Sequence, residues 1–240
     1  MRSAIFSQER PTLGAVFSTS FRILGQQFVP LMVLGLVAYL PLLLIQYLPG
    51  DPTSITRIGL ACVLLLAWCF TFPIGYGAAF HGVFQAAMGR PIDVGQSLAS
   101  GAKRFGRTLG VAFLSFLLIG LGTLLFIIPG VIVALRLYLS LQVAAVESTG
   151  VTESLKRSTT LTEGFRAMCF GSSLIVGLLN MAIQLVPLAF AEAQAAVLLW
   201  NAGAMLVTGT LSIVVSGVLY FMIRAHKESL GAETVAAVFE

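Results

Sequence analysis

A chain of 240 residues that is 58% hydrophobic and 10% charged has too little polar surface to cover a water-soluble globule, where about 25% charge is usual. Its mean hydropathy of +0.96 places it in the membrane class and leaves no stretch for a soluble catalytic domain. The net charge of +4 lies in short segments flanking apolar runs, which orients membrane proteins and is unlike the single water-facing patch of a nucleic-acid binder.

Residues 1–26 mix polar and apolar types, and the first long apolar run is too long for the core of a signal peptide, so no cleavage is expected. A membrane-crossing helix needs about 20 mostly apolar residues. Six segments qualify: 27–48, 58–80, 109–128, 131–146, 167–190 and 195–223. The first ends at Pro49-Gly50-Asp51-Pro52. The second can continue as helix to Ala87, before Gly89-Arg90-Pro91. Only Pro129-Gly130 separates the third and fourth, which read as two full spans joined by a tight turn, with a re-entrant pair as the rival.

Each odd-numbered span is preceded by a segment that reads as an amphipathic helix: 12–26, 93–108 and 151–164. In the first, Leu13, Phe17, Phe21, Leu24 and Phe28 recur at steps of three and four. Val94, Leu98, Ala102, Phe105 and Leu109 do so in the second. In the third, Val151, Leu155, Thr159, Thr162 and Arg166 keep the register while the stripe decays into polar residues. Asp93 with Gln96 reads as an N-cap and its capping-box partner. The chain is thus expected to be all-α, an integral membrane bundle forming one domain, with three repeats of amphipathic helix plus transmembrane hairpin.

Twelve of the fourteen Lys and Arg residues lie on one side of this bundle: Arg2, Arg10 and Arg22; Arg90, Lys103, Arg104 and Arg107; Lys156, Arg157 and Arg166; Arg224 and Lys227. The other side holds Arg57, and Arg136 lies within the fourth span. The positive-inside rule places both termini in the cytoplasm of a cell whose inner (plasma) membrane holds the protein.

The residues able to do chemistry are scattered. His81 and His226 sit at helix ends, Cys62, Cys69 and Cys169 lie inside apolar runs without metal spacing, and no cluster or motif for a nucleophile, metal or phosphate occurs. No enzyme activity, cofactor or metal is expected. A charge within the membrane is costly and often functional, so Arg136 is a candidate ligand or ion contact. Glu192 is a possible partner on the same outer side, and Glu147 lies at the inner end of the fourth span, near Lys156, Arg157 and Arg166. Lys103, Arg104 and Arg107 fall within about one helical turn and suit anionic lipid headgroups. Ala202, Gly209, Ser212 and Ser216 form a small-residue stripe that lets another helix approach closely, within the chain or in a homo-oligomer. Asn180, Gln184, Asn201 and Ser115 are the best candidates for polar groups at membrane depth.

Pro129-Gly130, Arg136, Glu147 and the stretch from Glu153-Ser154-Leu155-Lys156-Arg157 through Thr162-Glu163-Gly164 resemble the bacterial membrane family described as glycerophosphoryl diester phosphodiesterase membrane-domain-like, and the YciC-like group of inner-membrane proteins. The clearest match covers about forty residues. The resemblance implies a six-helix bundle in a membrane. The phosphodiesterase barrel behind that name is a separate soluble domain with its own metal-binding set, so the activity is not carried over. The expectation is a non-enzymatic multi-pass protein that scaffolds a membrane-protein partner or handles lipid at the cytoplasmic face; the alternative is a small transporter or channel with a pathway near Arg136.

Overall fold

A computed structural model describes residues 10–51, 53–147, 149–190 and 192–228. Arg2 and the first nine residues of the segment bearing on signal cleavage lie outside them. The described residues fold into helices joined by short turns and contain no strand. Ten α-helices run in chain order: α1 (Leu13–Gln26), α2 (Phe28–Gln46), α3 (Ile55–Ala87), α4 (Val94–Lys103), α5 (Phe105–Leu125), α6 (Ile127–Arg136), α7 (Ser140–Val146), α8 (Val151–Thr162), α9 (Arg166–Leu185) and α10 (Gln194–Glu228). A 3-10 turn, Val186–Phe190, ends α9 around Pro187. Six segments are long and apolar enough to cross a membrane: α2, α3, α5, α6 with α7, α9 and α10. Below, the "basic end" is the end carrying α1, α4 and the α8–α9 turn, and the "far end" is the opposite one.

Two helices exceed the roughly 30 Å of a bilayer core. At 1.5 Å per residue, the 33 residues of α3 reach about 50 Å and the 35 of α10 slightly more. Along α3 the environment changes at Pro73: the preceding residues are mostly exposed apolar groups, whereas nearly every residue from Gly75 to Ala87 is buried. The C-terminal part of α10, from Leu211 to Ala225, is buried all round except at Ser212. The core therefore sits in the basic half, where Phe80 stacks on Phe221 at 5.2 Å and packs edge-on against Tyr220. The far half is looser, and its exposed Leu, Ile and Phe side chains match a lipid environment.

Local chemistry explains the ends of α3 and α4. Gly89 takes φ 75°, a region that costs other residues strain. Its N–H and that of Arg90 donate back to the carbonyls of Ala86 and Gln85 at 2.9 Å, closing α3 in a Schellman motif. Asp93 caps α4 by accepting from the Gln96 N–H at 2.9 Å. The reciprocal partner, however, is Gln85 of α3, whose Oε1 accepts from the Asp93 N–H, while Gln96 bonds to the Gln85 amide.

Several expectations need correction. The expected helix 93–108 breaks at Arg104, so α4 lies on α3 while α5 departs for the far end. The buried face of α4 is centred on Ser97 and Gly101 rather than on Ala102, which is exposed. A Cβ on Gly101 would stand 2.8 Å from the Ala78 backbone nitrogen, so only glycine allows this approach. In α1 the buried face is Val16, Thr19, Ser20, Ile23 and Leu24, whereas Phe21, like Phe28 at the start of α2, is exposed, the lipid-facing of the two placements its stripe allows. The third and fourth spans are divided at Phe126, which is extended, and Pro129 sits in the first turn of α6. Proline lacks the N–H that a first turn leaves unpaired, so it begins this helix and does not break it. Gly130 lets α6 lie against α5: a Cβ there would stand 2.7 Å from the Thr123 Cα.

Candidate functional site

The fourth span is itself interrupted. Leu137, Tyr138 and Leu139 form a turn between α6 and α7, freeing backbone groups inside the bundle. α8 satisfies them. Ser154, Ser158 and Thr162 recur at steps of four on one face of α8 and are fully buried. Ser158 Oγ donates to the Arg136 carbonyl at 2.9 Å and accepts from the Leu139 N–H at 3.2 Å, and Thr162 Oγ1 reaches the same carbonyl. Of the polar residues in the third stripe, Thr162 thus has a structural role: with Ser158 on the adjoining face it meets broken backbone, where hydroxyls are needed.

Beside the break, toward the far end, α2, α9 and α10 border two adjoining, open-sided chambers with polar side chains in their lining. One, of about 420 Å³, is lined by Tyr39 and Gln46 of α2, Asn180 and Gln184 of α9, and Asn201 and Thr208 of α10. The other, of about 350 Å³, shares Tyr39, Asn180 and Thr208 and extends to Tyr138 and Ser212. Gly209 makes room between them, since a Cβ there would lie 2.7 Å from the Tyr39 ring.

The hydrogen bonding of this lining is incomplete. Asn180 Oδ1 accepts from Thr208 Oγ1 at 3.2 Å, and the Gln46 amide reaches the Met205 sulfur at 3.4 Å. Among the described residues, the side chains of Gln184 and Asn201 make no hydrogen bond. An amide facing hydrocarbon without a partner costs several kcal/mol. No carboxylate, imidazole, thiol or amine lines either chamber. At the far end, Tyr47 donates to the Leu198 carbonyl and Trp200 to that of Ile183, tying the three helices together.

Toward the basic end the same seam is closed. Gln142 of α7 is buried, with its amide oriented so that Nε2 donates to the Tyr138 and Leu139 carbonyls at 3.2 Å. Its Oε1 accepts from Tyr76 Oη at 2.8 Å and Ser216 Oγ at 2.9 Å. Farther along, Tyr220 Oη donates to Glu147 at 3.0 Å and accepts from Arg224 at 3.1 Å. Arg157 pairs with Glu147 at 3.2 Å and also with Glu228, and Arg224 with Glu228 at 2.9 Å. α7, α8 and α10 are thus joined by one charged network.

The other expected residues are placed apart. Arg136 is exposed at the end of α6 and does not line the chambers; Glu192 is exposed in the α9–α10 turn, and no ion pair joins the two among the described residues. Lys103 is exposed, Arg104 bonds Ser100, and Arg107 donates to the Thr149 carbonyl. Burial, with Arg107 nearby, lowers the Arg104 guanidinium from its ordinary value. On the far side, hydrogen bonds from Thr53 hold the Asp51 carboxyl below its usual range. Ser115 bonds Ser140 at 3.2 Å, away from the chambers. His81 lies against Ser97. Of the small-residue stripe, Gly209 and Ser212 reach the chambers and Ser216 bonds Gln142. Among the described residues no three His, Cys, Asp or Glu side chains come together as a metal site.

Sequence reasoning named Asn180, Gln184 and Asn201 but not Gln46 or Tyr39. The signal available was position: Gln46 lies near the far end of its helix, level with Gln184 and Asn201. The chain matches no protein-family model, no curated protein and no solved structure.

Proposed function

We propose that this is a multi-pass membrane protein that binds a neutral, hydrogen-bonding solute in the chambers between α2, α9 and α10, as the binding half of a small transporter or channel. One observation carries the reading: six amide or hydroxyl side chains from three helices converge on one space, and two of the amides have no partner within the described chain. Such groups serve a polar occupant and are wasted on lipid tails. The lining carries no formal charge, so the solute is uncharged, such as a polyol or a small amide. The pathway lies beside Tyr138 rather than at Arg136.

The Lys and Arg asymmetry supports cytoplasmic termini in a plasma membrane, with the chambers opening outward. The three successions of short helix, span and span support an internal repeat. The resemblance to the glycerophosphoryl diester phosphodiesterase membrane-domain-like and YciC-like proteins remains a proposal on its quoted motifs. A second reading, lipid handling or scaffolding at the basic end, is favoured by the outward Phe21 of α1 and Phe28 of α2 and by exposed Lys103.

The test is a thermal-shift screen of the purified protein against polyols, sugars and small amides, repeated on Asn201→Leu and Gln184→Leu. A solute that stabilises the wild type should lose its effect in both variants, while unliganded stability stays level or rises because an unpaired amide has been removed. Solute responses unchanged in the Leu variants would count against the chambers as the site.

A further inference from the structure

We propose that the chambers are the open half of a path crossing the whole bundle, and that Gln142 with Tyr76 and Ser216 is the gate closing it on the basic side. This rests on the solute-binding reading above. The observation behind it is a polar ridge on α10: Thr208, Ser212, Ser216, Tyr220, Arg224 and Glu228 occur at every fourth residue. Twenty residues of helix span about 30 Å, the thickness of a bilayer core. Steps of four form a continuous ridge slanting along a helix. The polar groups opposite it come from α3, α7 and α8: Tyr76, Gln142, Glu147 and Arg157.

The two halves of this ridge differ in one respect. Toward the far end, Thr208 and Ser212 border open chambers, and Ser212 is exposed. Toward the basic end, Ser216, Tyr220 and Arg224 are buried and bonded within the protein, to Gln142, to Glu147 and to Tyr220 and Glu228 respectively. A buried polar column through an otherwise apolar core is costly unless fully hydrogen-bonded, and here its bonds are closed in series. Gln142 is the closing element of this path because it bridges α3, the α6–α7 break and α10. The break leaves α7, seven residues long, as a short segment between two turns. Its displacement would free Gln142 from Tyr76 and Ser216 and, through Glu147 at its end, loosen the Arg157–Glu228 network. Four waters could then take over the four Gln142 hydrogen bonds, giving the solute a wetted exit.

The experiment places Ser212→Cys in a background with Cys62, Cys69 and Cys169 replaced by Ser or Ala. A charged, membrane-impermeant methanethiosulfonate is applied separately to the two faces in sealed vesicles of either orientation. With Gln142 intact, labelling should occur from the far side only. With Gln142→Ala, labelling from the basic side should rise at least tenfold, and far-side labelling should persist, reporting that the fold is kept. Tyr76→Phe, which deletes one gate bond at nearly constant volume, should raise basic-side labelling by a smaller factor. Far-side labelling alone in all three proteins would overturn the gate and leave the chambers standing. Labelling from both sides with Gln142 intact would overturn the closed half. No labelling from either side would defeat the chambers themselves, and the gate with them.

Discussion

Ser158→Ala isolates the role of α8. The substitution removes one hydroxyl that accepts the Leu139 N–H at 3.2 Å and donates to the Arg136 carbonyl at 2.9 Å. Leu139 is fully buried, so its N–H is left without a partner, at a cost of about 1–3 kcal/mol. The Arg136 carbonyl keeps Thr162, so its loss adds only about 0.5–1 kcal/mol. The sum is about 1.5–4 kcal/mol, or roughly 10- to 700-fold in the local opening equilibrium at 1.4 kcal/mol per decade. Hydrogen–deuterium exchange in lipid nanodiscs reads this directly: peptides covering 137–142 should exchange faster by that order in Ser158→Ala, while the far-end peptides of α2 stay unchanged. Ser158→Thr, which keeps the hydroxyl, should recover most of the protection. If Ser158→Ala exchanges like the wild type across the break, α8 does not hold it, and the account of its polar face is wrong.

Other substitutions probe the fold and the charge distribution. Gly101→Val would drive a side chain into the α3 backbone near Ala78 and should lower stability in detergent by about 1–3 kcal/mol, whereas Gly106→Ala, with open space around it, should be tolerated. Gly89→Ala forces a Cβ into the left-handed region and should cost about 1–2 kcal/mol, read as a lower unfolding midpoint. Cysteine accessibility in cells should label Ser54→Cys only from outside and Ser100→Cys only from inside; outside labelling of Ser100→Cys would reverse the topology. If Lys103, Arg104 and Arg107 form a lipid collar, changing all three to Gln should reduce co-purified anionic lipid in native mass spectrometry; because Arg104 and Arg107 already bond protein groups, Lys103→Gln alone should produce much of the loss.

Apolar run length was enough to find the six spans, because a membrane helix must satisfy its backbone internally and so has a long, unmistakable signature. Charge placement marked the ends equally well. What the sequence hid was rotation and interruption. The phenylalanine stripe of α1 fits the lipid interface and the underside of the bundle equally well on sequence; Val16, Ser20 and Ile23 are the residues inside and Phe21 is exposed, because lipid accepts Phe21 as readily as a protein core does. Pro129-Gly130 looked like a boundary, but a proline suits a first helical turn, and the real boundary at Phe126 carries no turn residue. The break at 137–139 had no local signal; it is supported from α8, about twenty residues later in the chain. For the same reason the charges drew attention to Arg136, whereas the chambers are built from neutral amides whose convergence depends on how α2, α9 and α10 pack.

The hydration of Asn201 tests the central claim most directly. A spin label on Asn201→Cys, in protein cleared of its other cysteines and reconstituted in lipid, reports nearby D2O through electron spin-echo modulation. A label at Leu178, on exposed apolar surface of α9, serves as the dry reference, and one at Ser54, in the α2–α3 loop, as the wet one. The polar chambers predict deuterium modulation at Asn201 close to that of Ser54. Modulation as weak as at Leu178 would mean that lipid fills the space, and the solute-binding account would fail.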